Sequence, residues 1–209
     1  MSLYFDFMNQ HFNVSRETYS LLEIYVAELL KWQKVHNLIA NSTIEHVWQR
    51  HIFDSLQLIH LAPENVHQWV DIGSGGGLPG LVIAIVMREQ HNFVMHLVES
   101  SQRKCAFLQH CVGLLRLPVF VHAKRIQDIL PTLPQIDVLS ARALASLDQL
   151  FEFASKCRNE PSAMLFLKGK DVNQELTDAQ NKWRFGYEIF PSRVESSGCV
   201  VSVRSLSLL

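Results

Sequence analysis

The chain lacks the features that mark several whole classes of protein. Its four cysteines (Cys105, Cys111, Cys157, Cys199) stand too far apart for a CxxC motif, which excludes the usual thiol redox and zinc-knuckle patterns. Ten histidines are scattered without HExxH or a comparable spacing, so no metal site is expected. No apolar run is long enough to span a membrane, and none near the N-terminus resembles a signal peptide, so the expected setting is a reducing cytoplasm. Neither an internal repeat nor a low-complexity segment is visible. No basic run exceeds two residues and the formal net charge is −1, which argues against a strongly basic nucleic-acid binder. The distribution is uneven, however: residues 1–98 hold 5 Lys+Arg against 9 Asp+Glu, and residues 99–209 hold 14 against 11. A basic face on the C-terminal part and ordinary solvated charges both fit that count.

What is present is an α/β pattern built around one loop. At 209 residues and 48% hydrophobic content, the chain fits a single domain with an appendage and supports a sizeable core. Glycine is sparse, nine in all, yet five fall within Val70-Asp71-Ile72-Gly73-Ser74-Gly75-Gly76-Gly77-Leu78-Pro79-Gly80. Lacking Cβ, these residues take positive φ and let backbone approach a ligand, at an entropic cost an ordinary turn does not need. Residues 69–72 read as a strand, Pro79 suits the first turn of a helix, and residues 81–87, apolar on every face, read as a helix buried against a sheet. The loop then sits at the carboxyl end of a parallel strand, where open α/β sheets bind ligands.

Ahead of the loop, residues 18–34 place Leu22, Ile24, Tyr25, Val26, Leu29, Leu30 and Trp32 near one helical stripe. Ser42-Thr43-Ile44-Glu45 reads as a capping box opening another helix, with Ile44, Val47, Trp48, His51, Ile52, Ser55, Leu56 and Ile59 on one face. Arg50, His51, Asp54 and Ser55 on that helix mimic a hydrolase triad. Side chains on one regular helix, though, lack the strained turn and oxyanion hole that a nucleophilic serine requires. The two remaining readings are an Arg50–Asp54 helix pair with a half-buried histidine and a set of side chains facing the site. Residues 1–65 are thus expected to form a helical extension packed on an α/β core of residues 66–209. Strands are expected at 93–99, 119–122, 136–139 and 164–167, alternating with helices at 102–115, 147–156 and 171–183. Residues 187–190 and 199–203 have no helix-length spacer between them and should pair antiparallel at the sheet edge.

Two cofactor classes compete for the loop. Gly75, Gly77 and Gly80 fit GxGxxG with Glu99 some twenty residues on, so an NAD-type oxidoreductase is the formal alternative. Yet the first glycine after the strand is Gly73, giving Asp71-x-Gly73-x-Gly75-x-Gly77. An acidic residue two before GxGxG suits a ligand with an amino group, such as S-adenosylmethionine, better than a pyrophosphate. Glu99 would accept from ribose hydroxyls in either case.

Further motifs add to this reading: Trp32-Gln33-Lys34-Val35-His36-Asn37-Leu38, Arg50-His51-Ile52-Phe53-Asp54-Ser55-Leu56, the loop with its Leu78-Pro79-Gly80 ending, Ser140-Ala141-Arg142-Ala143-Leu144-Ala145-Ser146-Leu147, and Leu167-Lys168-Gly169-Lys170. Together, from about residue 19 to 205, they resemble the bacterial ribosomal RNA small subunit methyltransferase G (GidB) family. The resemblance implies an α/β class I methyltransferase fold, Rossmann-like and mostly parallel with an antiparallel edge hairpin, carrying an N-terminal helical extension. It also implies methyl transfer from S-adenosyl-L-methionine to N7 of a specific guanine of 16S rRNA, as naked rRNA or in the small ribosomal subunit, by a cytoplasmic protein. A monomer is expected, without membrane or metal. A non-catalytic RNA-binding or ribosome-assembly module that retains the fold is the remaining alternative.

Carried over by motif, the cofactor-contacting residues are Gly73, Leu78, Ile126, Gln127 and Arg142, with Glu99 on the ribose; the loop's own chemistry adds Asp71, Gly75 and Gly77 to the cofactor-binding set. Gln127 departs from the family, which usually has an acidic residue there. Arg50, His51, Arg142 and Lys168 are the candidates for substrate RNA. No dedicated catalytic base is expected, because N7 of guanine already presents a lone pair. The four cysteines are placed away from the loop and the strand ends, where a covalent nucleophile would stand.

Overall fold

The computed structural model describes residues 3–194 and 198–209. The chain begins with helices α1 (Leu3–Phe12) and α2 (Arg16–Gln33), the second capped by Ser15, which accepts from the Thr18 N–H at 3.2 Å. A 3-10 turn (Asn41–His46) and a π-helical turn (Trp48–Phe53) then lead into α3 (Asp54–Leu61). The expected capping box does not form. Ser42 lies inside the 3-10 turn, and the Thr43 hydroxyl is engaged with the Ala40 carbonyl at 2.8 Å and His51 Nε2 at 2.7 Å. Nor is the following segment a one-sided stripe. Residues 51–58 are buried all round, because α1 packs on one side through Phe7–Phe53 and Phe12–His60 while the core closes the other.

The core runs β1 (Gln68–Ile72), α4 (Gly80–Met87), β2 (Val94–Val98), α5 (Gln102–Leu115), β3 (Val119–His122), α6 (Ile126–Ile129), β4 (Val138–Arg142), α7 (Leu147–Ala154), β5 (Ala163–Lys168), α8 (Val172–Ala179), β6 (Trp183–Pro191) and β7 (Cys199–Leu208). Among the described residues the sheet order is β3-β2-β1-β4-β5-β7-β6. The first five strands are parallel, and β7 is antiparallel to both β5 and β6. The expected antiparallel pair thus stands at the sheet edge, with β7 on its inner side beside β5 and β6 outermost. A dinucleotide-binding sheet would continue parallel in the order 3-2-1-4-5-6, so the inserted antiparallel strand also separates this fold from the NAD-type alternative. The fourth strand starts two residues later than expected and ends on Arg142, which therefore belongs to the strand instead of following it.

Two apolar clusters cover the two faces of the sheet. One joins α1, α2 and α3 to α4, α5 and β1, with Tyr25, Leu29, Trp69 and Phe107 fully buried; the other holds α7 and α8 against the opposite face around Phe151 and Phe166. The helical N-terminal part therefore shares a core with the sheet layer carrying the glycine loop. Among the described residues no helix is long and apolar enough to cross a membrane, and no group of three or more His, Cys, Asp or Glu could hold a metal ion.

Candidate functional site

The loop between β1 and α4 is fixed by its own backbone and by its neighbours. Gly73, Gly75 and Gly77 have φ of 67°, 55° and 84°, the region that only glycine takes without strain. The Gly73 and Ser74 N–H groups donate to the Val98 carbonyl at 2.8 and 3.2 Å, and the Gly77 N–H donates to the Ser74 carbonyl at 2.7 Å. The Gly75 N–H donates to Glu99 Oε2 at 3.0 Å, while Oε1 of the same carboxylate takes the Ser101 N–H at 2.8 Å. The glycines differ in why they are glycine. A Cβ on Gly73 would stand 2.5 Å from Leu144 and one on Gly77 2.5 Å from Leu81, whereas one on Gly75 would meet only the Gly73 carbonyl oxygen, at 3.7 Å. Packing against buried Leu81 thus demands glycine at 77, while at 73 the half-buried Leu144 end could shift and the positive φ is what favours glycine. At Gly75 the space is open on the protein's side, and this residue lines a cleft.

Asp71, expected to meet the cofactor, is instead sealed beneath the loop. It is fully buried, its Oδ1 accepts from Ser140 Oγ at 2.8 Å, and Ser140 Oγ in turn accepts from Trp69 Nε1 at 3.0 Å. Oδ2 has no hydrogen-bond partner and lies 2.9 Å from where a Gly80 Cβ would be, so helix α4 packs directly on it. Burial pushes this carboxyl up to about 7, against the Ser140 and Ser74 hydroxyls that pull it down. The folded state therefore binds the Asp71 proton more tightly than the unfolded chain does. The penalty for the ionised form is felt above about pH 7 and is relieved as pH falls toward the ordinary carboxylate range. Thermal melts of wild type and Asp71→Asn should show wild type gaining on the variant between pH 8 and pH 5, where roughly one pK unit is worth 1.4 kcal/mol. A pH-independent difference would refute the assignment.

Three clefts of about 350, 500 and 340 Å³ follow one another along the carboxyl edge of the sheet, each of a size that suits a small ligand. The first, over β2 and β3, is lined by Glu99, Lys124, Ile126 and Gln127. The middle one, over β1 and β4, is walled by Gly73 to Gly76, Leu78, Arg142 and His51, and by residues 37–40 of the N-terminal part. The third, over β4, β5 and β7, is lined by Arg50, Asp54, Arg142, Lys168, Glu175 and Cys199. Ala143, with a φ of 48°, borders all three. A left-handed non-glycine residue at such a junction is the kind of strain that the surrounding structure must enforce.

The structure thus gathers Gly73, Gly75, Leu78, Glu99, Ile126, Gln127, Arg142, Arg50 and His51 along this edge, and leaves Asp71 and the Gly77 position behind it. Lys168 is at the edge but committed. Its ammonium pairs with Glu175 Oε2 at 2.5 Å and donates to the Ala145 carbonyl at 2.8 Å, with 9% of the side chain exposed. An ammonium paired in this way is a strut holding α8 to β5, at the wall of the third cleft. Sequence reading also missed Gln33, whose amide oxygen accepts from the N–H groups of Leu38 and Ile39 at 2.8 and 3.0 Å and so shapes the wall at 37–40. The signal was present, since Gln33, Asn37 and Leu38 belong to one quoted motif.

The serine of the rejected triad donates to the His51 carbonyl at 2.6 Å and is fully buried, so it has no nucleophilic role. Asp54 meets Ser192 Oγ at 2.6 Å and lies 4.0 Å from Arg142, while Arg142 donates to the Arg50 carbonyl. For His51 the tautomer follows from its partner. Thr43 gives its proton to the Ala40 carbonyl, so His51 Nε2 must be the donor to Thr43 and Nδ1 carries the lone pair. Burial, with Arg142 and Arg50 nearby, pulls His51 down to about 3, so the ring is neutral at physiological pH. Two cysteines also stand closer than expected. Cys105 donates to the Glu99 carbonyl at 3.2 Å, and Cys199 lines the third cleft. Burial raises both thiols, which keeps them protonated and poorly nucleophilic.

The family model described as GidB, rRNA small subunit methyltransferase G, matches residues 18–198. A protein called ribosomal RNA small subunit methyltransferase G from Parvibaculum lavamentivorans is 47% identical over 194 residues, covering 93% of this chain and 86% of its own. A protein of the same name from Methylorubrum extorquens is 44% identical over 200 residues, covering 96% and 94%. Among solved structures, the O-methyltransferase TomG from Streptomyces achromogenes, in complex with SAM, superposes with a TM-score of 0.60 at 10% identity, covering 87% of this chain and 89% of that one. Likeness at that identity speaks for the fold alone.

Proposed function

Because the chain belongs to the rRNA small subunit methyltransferase G family, we propose that it moves the methyl group of S-adenosyl-L-methionine to N7 of one guanine in 16S rRNA. The observation that carries the proposal is the open space at Gly75: a positive-φ glycine whose Cβ would enter a cleft instead of a neighbouring side chain leaves a cradle for ligand. Bound there, the cofactor supplies an electrophilic sulfonium methyl. On our reading, Glu99, Ile126 and Gln127 hold its nucleoside end over β2 and β3, and Gly73, Gly75 and Leu78 with residues 37–40 hold its amino-acid end over β1 and β4. Glu99 can accept ribose hydroxyls while retaining both loop N–H groups, since a carboxylate offers about four lone-pair sites. The third cleft, joined to the middle one at Arg142 and Ala143, receives the guanine.

The residues around that junction suit an acceptor that needs no proton removed. His51 is neutral but far too weak a base to titrate near pH 7, and the Cys199 thiol is held protonated. What the chain can do is align the base with the methyl and exclude water, and alignment alone is worth several kcal/mol of barrier, on the order of 7 to 11 at best. The target base must leave its stack to reach the cleft. Mass analysis of 16S rRNA from a strain lacking the protein, against the complemented strain, tests the reading. A missing 7-methylguanosine restored on complementation, equally by the Cys199→Ser variant, is the expected result. A missing 5-methylcytidine, or complete inactivity of folded Cys199→Ser, would overturn it.

A further inference from the structure

The glycine loop is anchored from the N-terminal helices as well as from the sheet. Tyr25 of α2 is fully buried, and its hydroxyl donates to the Gly76 carbonyl oxygen at 2.6 Å across 51 residues of sequence. Gly76 itself is enclosed from the same side. A Cβ there would lie 3.2 Å from Leu29 of α2 and 3.3 Å from Leu38. Helix α2 is held in place by Arg88, just past α4, whose guanidinium donates both to Thr18 Oγ1 at 2.8 Å and to the Ile85 carbonyl at 2.9 Å. Sheet-side anchors fix the N–H groups of Gly73, Ser74 and Gly75 through Val98 and Glu99. The carbonyl in the middle of Gly75-Gly76-Gly77 is fixed by the phenol.

Three consecutive glycines resist rotation of the peptides between them less than any other sequence, so the conformation that fits a ligand must be imposed from outside. We infer that Tyr25 is a positioning residue for the cofactor, holding the Gly76 carbonyl so that the loop is already shaped when the ligand arrives. This inference rests on the cofactor site proposed above. It gives the helical extension a part in cofactor binding, alongside the wall that residues 37–40 contribute to the middle cleft. The phenol touches neither the methyl nor the acceptor, so its effect belongs in affinity and not in the chemical step.

Tyr25→Phe keeps the ring in the core and removes only the donor. Calorimetric titration with S-adenosylhomocysteine should show affinity weakened about tenfold, and KM for S-adenosylmethionine should rise by a similar factor. At saturating cofactor, kcat should stay within about twofold of wild type. In the cofactor-free protein, hydrogen exchange at residues 74–78 should quicken while that of β4 and β5 is unchanged. Phe107→Leu is the control for general loosening, because Phe107 is fully buried beside Tyr25, with ring centroids 6.5 Å apart, and does not reach the loop carbonyl. It should lower the melting temperature with S-adenosylhomocysteine affinity kept within about twofold. Wild-type affinity and wild-type loop exchange in folded Tyr25→Phe would overturn the inference, as would a fall in kcat with KM unchanged. Failure of the wild-type protein to bind S-adenosylhomocysteine would instead overturn the proposed site, and loop exchange alone would then decide whether Tyr25 anchors it.

Discussion

Gly75→Val is expected to fold and to lose cofactor binding altogether. The two halves of that statement have separate causes. Folding survives because a Cβ at this position meets nothing closer than the Gly73 carbonyl oxygen at 3.7 Å, so the cost is confined to holding a β-branched residue at φ 55°. Such strain is roughly 1 to 3 kcal/mol, within what a domain stabilised by about 5 to 15 kcal/mol can bear. Binding fails because the two methyl groups of valine would occupy the cleft that Gly75 lines, and because relieving the strain would carry its N–H away from Glu99. The same change at Gly77 would behave differently, since its Cβ would stand 2.5 to 3.0 Å from the fully buried Leu81 and the loss would be of folding. In wild type, S-adenosylhomocysteine at a hundred times its Kd should raise the melting temperature by roughly 5 to 10 °C, from about 2.7 kcal/mol of linkage in a chain of this size. That shift should vanish in Gly75→Val, and calorimetric heats should vanish with it. Near wild-type affinity in the folded variant would remove the loop from the site.

How far the sequence alone carried these conclusions depended on the range of the interactions involved. Elements whose signal is local were readable: α5 and β3 fall on the expected residues, because a helical stripe and a short β-branched run announce themselves within a few residues. The segment from 41 to 53 was not, since its 3-10 and π turns answer to tertiary demands such as Thr43 bridging Ala40 and His51. The place of β7 was also hidden. An antiparallel pair is visible from the missing spacer, but that the second strand inserts beside β5 depends on register with residues 30 or more positions away. In the candidate site, the loop's backbone conformation was legible because positive φ has a residue signature. Asp71 misled for the converse reason: a carboxylate next to a ligand loop looks the same in sequence whether it faces the ligand or lies under the loop, and only its bond to Ser140 on the neighbouring strand decides. The commitment of Lys168 was hidden likewise, because Glu175, seven residues on, reaches back across the turn to pair with it. Tyr25 was read as one residue of a helical stripe, and nothing local distinguishes a core tyrosine from one whose hydroxyl holds a loop.

Arg142→Ala is expected to lower methyl transfer tenfold or more, a loss of at least about 1.4 kcal/mol of transition-state stabilisation. The residue ends β4 and lines both the cleft assigned to the cofactor's amino-acid end and the one assigned to guanine. Its guanidinium donates to the Arg50 carbonyl and stands 4.0 Å from Asp54, tying the turn that carries His51 to the end of the sheet. Truncation would therefore disturb both the wall and the junction where methyl and acceptor must line up, and small misplacements there are costly. It would also leave the part-buried Arg50 carbonyl without this donor, so a stability loss of about 1 to 2 kcal/mol, a fall in melting temperature of roughly 2 to 8 °C, is expected as well. The two effects separate by temperature and by variant. Assayed well below its melting transition, Arg142→Ala should remain folded and still turn over slowly. Arg142→Lys keeps the positive charge but has no planar fork with which to hold Arg50 and face Asp54 together, so it should fall between the two in activity. With S-adenosylhomocysteine affinity reduced less than turnover, the loss lies at the junction with guanine; with affinity and turnover reduced equally, it lies in the cofactor cleft. Wild-type turnover by folded Arg142→Ala at saturating RNA and cofactor would remove this arginine from the reaction and leave it only the task of fastening β4 to the helical turn.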